Sequence, residues 1–154
     1  MNNDKKIVYV PMAVDLIHKG HINIIKIASS YGRVIVGLLT DEAVAKYKRI
    51  PYLDYEQRKL IVQNIVGVSE VIKQEEDDYV PNIIKLKPDY FVHGDDWKEG
   101  VLKDKRKRVI DIMNKLGGEV IEPKYTKEVS STILNDHIRN MGTTTDIRRQ
   151  KLKY

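Results

Sequence analysis

Runs of β-branched and aromatic residues with no polar face, each followed by a stretch of helical period, constrain this chain more than any other feature. Lys6 to Val10 (KIVYV) and Val34 to Leu39 (VIVGLL) are of this kind, and a strand apolar on both sides has to be covered on both sides. Shorter runs at Val71-Ile72, Tyr90 to Val92 and Glu119 to Ile121 predict three more strands. Ile22, Ile24, Ile25, Ile27 and Ala28 predict a central helix that is apolar nearly all round, with Gly32 as its C-cap. Thr40-Asp41 caps a brief helix that fades into a lysine-rich loop, and Asp54 opens a helix whose inward stripe is Arg58, Ile61, Val62, Ile65 and Val68. Tyr79 to Leu86, Asp104 to Leu116 and a last helix capped by Ser130-Ser131-Thr132 complete the alternation. Five strands interleaved with helices predict an α/β protein with a Rossmann-like, doubly wound, five-stranded parallel sheet.

A chain of 154 residues suits one domain of this kind, here 1–141, followed by a polar tail or linker over 142–154. The absence of cysteine excludes disulfides, thiolate nucleophiles and thiolate metal ligands, which suits a reducing compartment and predicts a cytoplasmic protein. The apolar run Ile7 to Val14 stops at Asp15, far too short for a membrane span, so no membrane partner is expected. The net charge of +5 favours anionic ligands. Its dense runs, Lys103 to Arg108 and Arg148 to Lys153, contain no aromatic residue to stack on bases, so they read as solvated faces and not as a nucleic-acid stripe.

In a doubly wound sheet, ligands bind beyond the carboxyl ends of the strands, at the point where strand order reverses. The loops expected on that edge are His18-Lys19-Gly20-His21 after the first strand, Lys46 to Arg49 after the second, Gly94-Asp95-Asp96-Trp97 after the fourth, and Thr126 to Thr132 after the fifth. Two imidazoles flanking a glycine beside the free N–H groups of a helix start suit a phosphate, although two such histidines can equally serve as a helix cap. The lysines read also as solvated side chains, and Ser-Ser-Thr as an ordinary N-cap. Arg58 points inward and needs an anion, which Asp54 one turn earlier or a ligand could supply.

Taken together, HKGH, the helix start YEQRK, GDDW and the SST cap resemble the HxGH cytidylyltransferases of the glycerol-3-phosphate kind over roughly residues 6 to 140. PYLDYEQRK, GVSEVI, KPDYFVHGDDW and GTTTDIR resemble more closely the cytidylyltransferase domain fused to phosphoenolpyruvate mutase in phosphonate biosynthesis. The resemblance implies a nucleotidyltransferase fold and transfer of CMP from CTP to a small phosphonate such as 2-hydroxyethylphosphonate, with a phosphorylated alcohol such as glycerol 3-phosphate as the alternative acceptor. A non-catalytic nucleotide or nucleic-acid binding module is the alternative of another class. The resemblance also implies a homodimer, a possible fusion to a mutase domain, and Mg²⁺ carried on the CTP phosphates with no metal ligand from the protein.

The same resemblance implies roles for individual residues. His18, His21, Lys48 and Arg58 would act on the phosphates in catalysis. Met12, Ala13, Asp15, Gly20, Asp95, Trp97, Thr126, Ser130, Ser131 and Thr132 would hold the nucleotide, and Lys46, Arg49 and Tyr125 the acceptor. Two arginines common in the family are missing here, one from the stretch Val66 to Ile72 and one at Tyr125, which implies either an altered acceptor pocket or help from Lys124, Lys127 or Arg49.

Overall fold

A computed structural model of the protein describes residues 6–141; the predicted tail over 142–154 lies outside the described residues. Five parallel strands form one sheet in the order β3-β2-β1-β4-β5: β1 Ile7–Met12, β2 Arg33–Leu39, β3 Val68–Gln74, β4 Tyr90–Val92 and β5 Glu119–Ile121. The helices are α1 Lys19–Ser29, α2 Asp41–Ala45, α3 Tyr55–Gln63, α4 Val80–Leu86, α5 Lys103–Leu116 and α6 Ser131–Asn140. This is the doubly wound α/β architecture expected from the sequence.

Two apolar layers sandwich the sheet. Ile25 and Ala28 of α1 and Tyr55 and Val62 of α3 pack with Val8, Val10 and Val36 on one face. Tyr79, Ile83 of α4 and Val109, Met113 of α5 pack with Tyr9, Ile35 and Phe91 on the other. Strands β1 and β2 are buried along nearly their whole length, which is why their sequences carry no polar face.

Four local expectations change. Helix α1 is amphipathic and not apolar all round: it buries Ile25 and Ala28 while Ile27 is 38% exposed. Its C-cap is Ser30; Gly32 is needed instead because a Cβ there would lie 2.1 Å from the Lys6 carbonyl oxygen. Helix α3 ends at Gln63, since Gly67 takes φ +99° and turns the chain into β3, so Val68 belongs to a strand. Strand β3 runs five residues beyond the predicted Val71-Ile72 pair; it lies on the sheet edge with a register shift at Val34/Ile35, and its mixed polar sequence hides its length.

Strand order reverses between β1 and β4, so the loops after β1, β2, β3, β4 and β5 converge on one edge. The turn after β1 is strained: Val14, a buried β-branched residue, has φ +50°, a conformation that costs about 1–3 kcal/mol and persists where the surroundings over-determine it.

Candidate active site

The HKGH turn forms a reciprocal cap. His18 is the N-cap of α1, and its Nδ1 accepts from the Gly20 N–H at 3.1 Å, while the Nδ1 of His21 accepts from the His18 N–H at 3.2 Å. Both rings are thereby assigned the tautomer with hydrogen on Nε2, so each offers one N–H donor away from the helix. The ring centroids lie 3.9 Å apart. Burial lowers the pKa of both rings; for His21 burial comes first, then the charges of His18 and Lys48, and the value falls to about 3. The pair is neutral at pH 7 when no anion is bound. Gly20 has a second reason to be glycine: a Cβ would meet Cε1 of the His18 ring at 2.8 Å and its Nδ1 at 2.9 Å.

These rings line a cavity of about 510 Å³ at the carboxyl edge of the sheet, within the range of small-ligand clefts. Met12 and Ala13 from the end of β1, Gly20, Lys48, and Tyr125, Thr126, Ser130, Ser131 and Thr132 from the loop into α6 share that lining. The loop is tied to α1 by Asn23 Nδ2 donating to Thr126 Oγ1 at 3.3 Å and by the Lys19–Glu128 ion pair. Ser130 Oγ accepts from the Ile133 N–H at 3.1 Å as the N-cap of α6. The cap leaves the other N–H groups of that helix start available to anions.

Several residues expected in the site stand behind it. Arg58 has no exposed surface, and its guanidinium is spent on protein: Nε donates to Leu53 O at 3.1 Å, Nη1 to Ala13 O at 2.6 Å and Leu39 O at 2.9 Å, and Nη2 to Asp41 Oδ1 at 2.6 Å. Its anion is therefore Asp41, neither Asp54 nor a ligand; Asp54 caps α3 through Gln57 N–H. Asp15 is 3% exposed, binds Arg49 and accepts from the Tyr52 N–H at 2.8 Å, while the Arg49 guanidinium stacks 3.9 Å from the Tyr52 ring. Neither Asp15 nor Arg49 lines the cavity. Together they pin the chain just after Lys48 to the β1–α1 turn, which holds Lys48 at the rim. Lys46 is exposed and outside the lining.

The GDDW loop is also structural in part. Trp97 has no exposed surface, stacks on His93 with centroids 4.0 Å apart, and donates from Nε1 to Glu122 at 2.7 Å. Asp95 Oδ1 accepts from the Tyr125 N–H at 2.8 Å and so braces the β5 loop. Of that loop, Gly94 and Asp96 face the cavity, while Asp95 and Trp97 do not. Val66, where the resemblance expects an arginine, is 94% exposed and lies away from the cavity; Tyr125 lines it.

The structure adds residues that no motif announced. The loop after β3 and the start of α5 bring Asp77, Tyr79 and Lys105 into the lining beside Tyr47. The topology alone could have signalled the β3 loop, because it shares the edge with the other four. Lys105 lies in the basic run over 103–108, whose other members are in part neutralised: Arg106 is paired with Glu122 and Arg108 with Asp78. Arg106, Trp97 and Lys98 hold the Glu122 carboxyl down at about 2, the Arg106 hydrogen bond being the largest cause. Such pairing removes the run from consideration as an open phosphate stripe.

A turn that presents two imidazole donors at the switch point of a five-stranded Rossmann-like sheet is the arrangement of a nucleotidyltransferase fold. The cytidylyltransferase-like family model matches residues 13–150, and the chain belongs to that family. It is 33% identical over 131 residues to the glycerol-3-phosphate cytidylyltransferase of Bacillus subtilis (strain 168), covering 82% of this chain and 92% of the relative. It is 37% identical over 133 residues to that of Staphylococcus aureus (strain NCTC 8325 / PS 47), covering 80% and 88%. Among solved structures, a lipopolysaccharide core biosynthesis protein from Thermoplasma volcanium GSS1 superposes with a TM-score of 0.65 at 25% identity, over 80% of this chain and 98% of that one. Among the described residues no helix is long and apolar enough to cross a membrane.

Proposed function

We propose that the chain transfers CMP from CTP to the phosphoryl oxygen of a small phosphorylated alcohol of the glycerol 3-phosphate kind. One observation carries this reading: the paired Nε2–H groups of His18 and His21, Lys48 and the N-terminus of α6 converge on one cavity. Two relatives matched over 82% and 80% of this chain are named for that acceptor. The acceptor oxygen attacks the α-phosphorus of CTP; a P–O bond forms, the bond to the bridging oxygen breaks, and pyrophosphate leaves with its electron pair. The acceptor oxyanion needs no general base, so the residues contribute alignment and charge neutralisation. His18 and His21 donate to the phosphate oxygens, Lys48 adds charge at the rim, and Thr126, Ser131 and Thr132 with the start of α6 hold the leaving phosphates.

A Mg²⁺ carried on the triphosphate oxygens would help neutralise them. Purified protein incubated with CTP, Mg²⁺ and glycerol 3-phosphate should release pyrophosphate, and His21→Ala should abolish the release. Failure with every phosphorylated or phosphonylated acceptor refutes the transfer reading.

A second reading, transfer to a small phosphonate such as 2-hydroxyethylphosphonate, is favoured by Tyr125, which lines the cavity where glycerol-3-phosphate enzymes are expected to carry an arginine. Competition between the two acceptors in one assay decides: the one with the higher kcat/KM is the substrate class. A homodimer is proposed with it, and light scattering giving the monomer mass would refute that.

A further inference from the structure

An in-line displacement puts the nucleophile and the leaving group on opposite sides of the α-phosphorus. The groups suited to the leaving phosphates, His18, His21 and the start of α6, belong to elements on the α1 side of the sheet; α4 and α5 cover the other face. The acceptor, itself an anion, needs its positive charge on that second side. Among the described residues lining the cavity there is no arginine, and the lysines are Lys48 and Lys105.

Resting on the transfer reading above, we infer that Lys105 is the acceptor-side cation of this site, supplying the charge that the missing family arginines would have supplied. Its side chain is 17% exposed, lies 5.0 Å from the Tyr79 ring centroid, and binds the Asp77 carboxylate. An ammonium has three donors; Asp77 takes one, which orients the head and leaves donors for the acceptor. The ammonium set over the Tyr79 ring holds the rotamer before the acceptor arrives, so less entropy is lost on binding. The Asp77 charge is also felt at Tyr47, next to Lys48: burial first and then that charge raise the Tyr47 hydroxyl to about 12. Lys48 and Lys105 line the same cavity together with Tyr47 and Tyr79. The mounting is rigid, because Gln74 Nε2 donates to Glu76 O at 2.7 Å and Asp78 O at 2.9 Å from either side of Asp77.

The arms of the test are Lys105→Met, Lys105→Arg and Asp77→Asn, with Lys107→Met as control, assayed by pyrophosphate release on whichever acceptor the wild type uses. Lys105→Met raises the acceptor KM roughly ten- to hundred-fold, the worth of a charged hydrogen bond, while the CTP KM stays within twofold. Lys105→Arg recovers most of the loss, and the acceptor KM of Lys105→Met depends less steeply on salt than that of the wild type. Asp77→Asn, whose amide oxygen still accepts from the ammonium and orients it while its charge no longer competes with the acceptor, lowers the acceptor KM. An unchanged acceptor KM in Lys105→Met, or equal rises in both KM values, overturns the inference while leaving the transfer reading intact. If Lys105→Met fails to fold, Asp77→Asn decides alone: a raised acceptor KM makes the carboxylate the acceptor's ligand and overturns the role of Lys105. A wild type that uses no acceptor refutes the transfer reading and this inference with it.

Discussion

Arg58→Met separates a phosphate ligand from an internal strut. Methionine replaces most of the stem volume, so the loss is chiefly that of the guanidinium and its four bonds. Leu39 O is left buried without this donor, whereas Asp41, 34% exposed, regains water. Breaking one partner of a buried ion pair costs about 3–5 kcal/mol, and partial rehydration of Asp41 places this case near the lower end, about 3 kcal/mol. Against a total stability of about 5–15 kcal/mol that is a large fraction. In urea, with a slope of about 1–3 kcal/mol per molar, the midpoint should fall by roughly 1–3 M. Thermal unfolding should shift down by roughly 10 °C. A double-mutant cycle with Asp41→Asn should show coupling of at least about 1 kcal/mol. Ala13 O, one acceptor of Arg58, sits in a residue that lines the cavity, so activity should fall as a consequence. An Arg58→Met protein with an unchanged urea midpoint and a tenfold higher CTP KM would refute this reasoning and make Arg58 a ligand.

Gly20→Ala should displace the His18 ring, because the new Cβ would lie 2.8 Å from its Cε1; kcat should fall by roughly a hundredfold, as for a catalytic group moved by about an ångström, with far-ultraviolet circular dichroism unchanged. The lowered pKa of His21 makes stability depend on acid: the unfolded chain takes up a proton below about 6.5, whereas folded His21 resists until about 3. The contribution is therefore full above pH 6.5 and is lost as pH falls toward 3, by up to about 3 kcal/mol at pH 4; His21→Asn should flatten urea midpoints between pH 6.5 and 4.5. The sole tryptophan, Trp97, is fully buried, so its emission should be blue-shifted and quenched by acrylamide only on unfolding. Trp97→Phe should cost about 1–3 kcal/mol in denaturant titration with the CTP KM unchanged; a tenfold rise in that KM would place the ring at the nucleotide.

Strands β1, β2, β4 and β5 were legible because burial on both faces or a tight turn writes itself into local composition, and the HKGH turn was legible because capping acts over three residues. Strand β3 was half hidden, since an edge strand has fewer side chains to bury and tolerates Ser69, Glu70 and Lys73. Motif membership proved a poorer guide to contact than to architecture. GDDW and YEQRK are where the resemblance puts them, yet Trp97 and Arg58 are fully enclosed.

By itself, then, the sequence determined the alternation of strands and helices, the edge on which polar loops gather, and the turn that presents two imidazoles. These depend on period, propensity and short-range hydrogen bonds, which are properties of neighbouring residues. Only the tertiary structure decided which charges are spent and which are free. Asp41 meets Arg58, Asp15 meets Arg49 and Asp77 meets Lys105 across separations of 17, 34 and 28 residues. An ion pair between distant segments leaves no local trace, so which lysine faces the cavity is settled only when β3, α4 and α5 pack beside one another.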